Sequence, residues 1–135
     1  MKLISTCLVL MVAVIALPSC KKEVTQVVSQ AFSATYTIQP NQWSPVSGGS
    51  GYSTTLDVPE LTSRFLGDGA VLVYLSFDNG ASYEAIPEVF SGITYGTYHG
   101  VGYIGIDYSR LDGGSVSLPG AAIRAKVVLL YTDPL

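Results

Sequence analysis

The 135-residue sequence predicts an all-β fold: an antiparallel two-sheet sandwich of the immunoglobulin-like class, built from seven to eight short strands. Three observations lead there. Short runs alternate apolar and polar residues with a period of two. Turn residues punctuate these runs at the spacing of a sandwich. No stretch of the predicted domain holds a helical apolar period for long, and no segment repeats. Composition agrees, because only 13% of residues are charged while Gly and Tyr number 14 and 9. Such a mixture suits half-buried strands joined by tight turns. A partly open barrel is the competing architecture.

The chain begins with an export signal. Met1 and Lys2 supply the positive end, and Cys7 to Leu17 form an apolar run. As a helix that run reaches only about 16 Å, roughly half a bilayer core. Leu17-Pro18-Ser19-Cys20 follows. It resembles the lipobox of bacterial lipoproteins: a branched apolar residue, a variable position, a small residue, then cysteine. The resemblance implies a signal peptide over residues 1–19 and lipid attachment, with palmitate among the acyl groups, through the Cys20 thiol. Cys7 would leave with the signal, so Cys20 is the one cysteine of the mature chain and no internal disulfide can form. Three acyl chains, at about 0.8 kcal/mol per buried methylene, would anchor the protein to a membrane without spanning it. Residues 20–30 then make a polar tether, about ten residues that can reach about 35 Å. The expected location is the cell envelope at the outer membrane, with either face open.

Residues 31–135 form the predicted domain. Phe32, Ala34, Tyr36 and Ile38 alternate with Ser33, Thr35 and Thr37, which predicts a half-buried first strand with Tyr36 in the core. A Gly-, Ser- and Pro-rich loop holding Trp43 follows. Tyr52 to Val58 is a second strand facing inward through Tyr52, Thr54, Leu56 and Val58, and Pro59 ends it. One helical turn is expected within Glu60 to Leu66. Val71 to Phe77 is apolar on both faces, which predicts a central strand with Val73 in the core. Asp78-Asn79-Gly80 supplies a type I′ turn, and Ser82 to Ile86 returns until Pro87. Ile93 to Tyr98 and Val101 to Tyr108 read as a hairpin about His99-Gly100. Ser115 to Leu118 is a short strand, and Ala122 to Tyr131 is the last, with Arg124 and Lys126 outward.

The stretch Gly69 to Gly80, with Glu84-Ala-Ile-Pro87 and Ala122 to Val128, is similar to small uncharacterised Gram-negative lipoproteins that end in a single β domain. The resemblance implies the fold and the address, and assigns no functional residue.

Charge and motif content narrow the function classes. From Ala31 onward, Arg64, Arg110, Arg124 and Lys126 face nine carboxylates. That balance of −5 opposes nucleic-acid binding, which depends on neutralising phosphates. His99 is the lone histidine, and no Gly-x-Ser-x-Gly elbow accompanies it. Zinc needs three or four nitrogen or sulfur ligands, so no metal and no cofactor is expected. Glu84 with Glu88 and Asp57 with Glu60 are carboxylate pairs whose spacing defines no cleft. Asp68, Asp78 and Asp112 suit turn chemistry better than calcium loops. Aromatic residues carry the remaining signal. Tyr95, Tyr98, Tyr103 and Tyr108 crowd one predicted hairpin among glycines, and Trp43 sits in a loop, so Trp43, Tyr95, Tyr98 and Tyr103 are the candidate binding residues. The expectation is a non-enzymatic module for protein interaction or assembly. A glycan-binding module is the alternative, followed by a small hydrolase or enzyme accessory subunit.

Overall fold

The computed structural model describes residues 31–47 and 49–131, so the expected signal peptide, Cys20 and the expected tether lie outside the described residues. Among the described residues nine strands form two antiparallel sheets: β1 (Ala31–Ile38), β2 (Ser44–Pro45), β3 (Tyr52–Asp57), β4 (Gly69–Ser76), β5 (Glu84–Ile86), β6 (Glu88–Phe90), β7 (Ile93–Gly100), β8 (Tyr103–Arg110) and β9 (Ile123–Tyr131). One sheet has the order β1-β9-β4-β5 and the other β2-β3-β8-β7-β6. The sandwich is therefore the architecture. Two strands were not expected, β2 and β6, and the run Ser115 to Leu118 is irregular rather than a strand.

Period-two alternation fills the space between the sheets. Ile123, Ala125, Val127 and Leu129 of β9 are buried, and so are Leu56 of β3, Val73 and Leu75 of β4, and Ile104 and Ile106 of β8. β4 is interior to its sheet, as its apolar run predicts, although Leu72 on its outer face is exposed. On its outer face Tyr74 pairs with Lys126, whose ammonium lies 4.9 Å from the Tyr74 ring and 4.4 Å from the Tyr83 ring. The lysine stem and charge thus cover apolar surface that would otherwise be bare.

The first strand keeps its expected phase but not its expected burial. Phe32, Ala34, Tyr36 and Ile38 pair with Leu129, Val127, Ala125 and Ile123, on the inward side. Only Ile38 is buried, whereas Tyr36 is half-buried and Phe32 is exposed. Tyr36 therefore packs against the core without belonging to it. β2, next to β3 at the edge of the other sheet, has only two residues.

The helical turn becomes α1 (Ser63–Asp68), with the Thr62 hydroxyl accepting from Phe65 N–H at 3.2 Å as its N-cap. The β7–β8 hairpin turns at Val101-Gly102, two residues beyond the expected tip. Gly100 pairs with Tyr103, and Gly102 takes φ +83°, which glycine adopts without cost. Pro87 does stop β5, yet the chain immediately re-forms β6 in the opposite sheet.

Candidate binding surface

The β7–β8 hairpin sorts its tyrosines by parity. Tyr95 and Tyr108 are cross-strand partners facing the core, and both are buried. Their rings stack at 6.0 Å, and Phe77 lies 5.3 Å beyond Tyr95. The Tyr108 hydroxyl donates to the Ser117 carbonyl at 2.8 Å. Burial, then Tyr52 and Tyr95, pushes the Tyr108 phenol up to about 12. Trp43 joins the same cluster: it is 5% exposed and meets the Tyr108 ring edge-on at 5.1 Å. Two of the four candidate residues, Trp43 and Tyr95, are thus core residues rather than exposed binding groups. The loop around Trp43 is polar, yet its indole is taken into the core.

Tyr98 and Tyr103 fall on the opposite face. They are 48% and 41% exposed, with ring centroids 6.4 Å apart and planes at 74°. Each faces a glycine across the hairpin: Tyr98 pairs with Gly105, and Tyr103 with Gly100. A Cβ on Gly105 would overlap the Tyr98 ring, and one on Gly100 would come within 2.6 Å of Tyr103 Cε1. Each ring therefore covers the backbone where a side chain would otherwise stand. A third row repeats the device. Gly96 pairs with Asp107, whose carboxylate lies 2.8 Å from where a Cβ would sit. β3 completes these rows: Thr55 sits beside Gly105, Asp57 beside Tyr103 and Ser53 beside Asp107. The outer face of β3, β8 and β7 therefore carries two rings with two carboxylates and two hydroxyls in adjoining rows. Period-two counting could have found this division, since Tyr95 and Tyr98 are three apart and must point to opposite faces.

His99 is an exposed strand residue paired with Ile104, not a turn-tip residue. The carboxylates behave in three ways. Asp78 accepts from Ser82 Oγ at 2.6 Å, Ser82 N–H at 2.9 Å and Ser76 Oγ at 2.8 Å, which holds it well below the usual carboxylate range. Asp112 is held low as well, by the Arg110 guanidinium at 2.6 Å and by Gly114 N–H. Both are turn chemistry. Glu84 and Glu88, which spacing alone did not unite, meet across the Pro87 corner. Burial, and then Glu84 through hydrogen bonding and charge, raises the Glu88 carboxyl. One oxygen of each is hidden without a hydrogen-bond partner. Among the described residues no group of three or more His, Cys, Asp or Glu could hold a metal ion.

A groove of about 370 Å³ opens between α1 and the inner side of β1, lined by Phe32, Glu60, Arg64, Phe65, Leu129 and Tyr131. Ala34, Tyr36 and Val58 line a smaller hollow of about 170 Å³ that shares Phe32, Glu60 and Leu129 with it. Together they run along the uncovered half of the first strand.

No family model matches this chain, and neither a curated protein nor a solved structure does.

Proposed function

We propose that the chain is a lipid-anchored cell-envelope protein whose sandwich is a non-enzymatic module, binding a partner protein that adds a strand at β1. The carrying observation is the contrast among the four sheet edges. β2, β5 and β6 are two or three residues long, and Pro45 or Pro87 lies in or beside them. Such edges are blunted against further pairing. β1 has eight residues, Ala31 to Ile38, and includes neither a charge nor a proline. Among the described residues it bonds to β9 on one side only. A long, uncharged edge is a template for main-chain hydrogen bonds from another strand. The apolar groove beneath Phe32, Ala34 and Tyr36 would receive alternate side chains of that strand. The anchor rests on Leu17-Pro18-Ser19-Cys20, and the tether behind it ends where β1 begins.

Photo-crosslinking in the native envelope tests this reading. A photoreactive residue at Thr35 should give a discrete adduct, and Ala34→Lys, which puts a charge on the inner side of the edge, should remove it without lowering the melting midpoint. An adduct unchanged by Ala34→Lys, or none at all, refutes strand addition. Cys20→Ser should abolish labelling by a palmitate probe, because serine lacks the thiol; persistent labelling refutes the anchor.

A further inference from the structure

We infer that the outer face of β3, β8 and β7 is a second, separate site, and that it binds a neutral, hydroxyl-rich saccharide chain. Tyr98 and Tyr103 would stack on sugar rings, and Asp57 and Asp107 would accept sugar hydroxyls. The inference begins with exposure. Two large rings stand about half exposed on the outer face near the β7–β8 turn, although the inner face of the same strands buries Tyr95 and Tyr108. A sheet needing only to fill the gaps at Gly100 and Gly105 would be served by a small aliphatic side chain at each. Instead both positions are glycine, and the facing tyrosines lie across them. Seating a ring over backbone fixes its orientation before any ligand arrives, which reduces the ordering cost of binding.

The surrounding groups select the ligand. Saccharide rings present C–H faces that pack on π faces, and hydroxyls at their edges that need acceptors. Asp57 and Asp107 stand in the rows of Tyr103 and Gly96, with Thr55 and Ser53 in the same face. Carboxylates are depleted at the centre of protein interfaces, because each must be desolvated. Two of them beside the rings therefore favour a hydroxylated ligand over a protein surface. No lysine or arginine stands in these rows to offset the charge. Arg110, at the end of β8, is paired with Asp112. Acidic saccharides and nucleic acids would meet repulsion.

The full chain in detergent can be run through native gels cast with soluble neutral polysaccharides, such as mannan, xylan and mixed-linkage glucan. Gels cast with polygalacturonate provide the anionic comparison. At least one neutral polymer should retard migration, and polygalacturonate should not. Tyr98→Ala and Tyr103→Ala should each weaken binding about tenfold, the loss of one central contact. Thr55→Arg should abolish retardation with both rings in place, so the outcome stands even where a tyrosine variant fails to fold. Ala34→Lys should leave retardation unchanged, which separates this site from the β1 edge. Absence of retardation by every neutral polymer, equal retardation by polygalacturonate, or retardation indifferent to all three platform variants would overturn the proposal.

Discussion

Trp43→Ala separates a structural indole from a ligand-binding one. At 5% exposure, with its ring edge-on to Tyr108 at 5.1 Å, Trp43 closes the space beside the stacked Tyr52, Tyr108 and Tyr95 rings. Truncating a buried tryptophan costs about 3–5 kcal/mol in lost transfer energy and residual cavity. A domain of this size holds about 5–15 kcal/mol in all. At about 4 °C or more per kcal/mol, the melting midpoint should fall by about 12 °C or more. Trp43→Phe should behave differently. It surrenders part of the ring area, but it also removes Nε1, which is buried with no hydrogen-bond partner. An unsatisfied buried donor costs about 1–3 kcal/mol. The two effects oppose each other, so the net change should be within about 1 kcal/mol. Urea titrations followed by far-ultraviolet circular dichroism avoid dependence on the deleted fluorophore. A Trp43→Ala midpoint matching the parent would show that the indole does not hold the core together. If a ligand were lost at the same time, the surface-aromatic reading of Trp43 would be restored.

Strand phase is tested by Leu75→Ala, at a fully buried position, which should cost about 2–5 kcal/mol, whereas Thr35→Ala on the outer side of β1 should stay within about 0.5 kcal/mol. Equal urea midpoints for the two would contradict the register. The Glu88 carboxyl gives a pH signature. Its value in the folded state lies above the unfolded one, about 4.3. Its contribution is therefore fully present below that pH and lost as pH rises through the raised folded value. Glu88→Gln should raise the melting midpoint at pH 8 and leave it unchanged at pH 4; the same increment at both would exclude titration as the cause.

Much of the sandwich was legible because alternation is a local signal. β3 and β9 bury the residues that period-two counting selects, with Ile123, Ala125, Val127 and Leu129 the clearest set. Phe32 shows where the signal ends: its side of the strand was readable, but its exposure depends on how far the opposite sheet extends. Pro45 falls in a stretch that reads as loop and Pro87 reads as a stop, whereas one lies within β2 and the other passes the chain from one sheet to the other. Ser115 to Leu118 alternates and still forms no strand, since pairing needs a neighbour that sequence cannot name. The contact between Glu84 and Glu88 was not legible from their spacing, because the three residues between them say nothing about a corner between sheets. The candidate surface was half legible. Tyr98 and Tyr103 were among the residues named, but their company was not. Asp57 and Thr55 join them only through the pairing of β3 with β8.

The pairing of Ala31 with Leu130 brings the first described residue within one strand spacing, about 5 Å, of the end of β9. The domain is therefore nearly a closed ring of chain. A short linker joining its two ends would permit circular permutation, with new termini opened at the exposed Asn79 turn. The same adjacency would let the sandwich be spliced into a surface loop of an unrelated host without prising that loop apart, so it could travel between proteins as a self-contained insert.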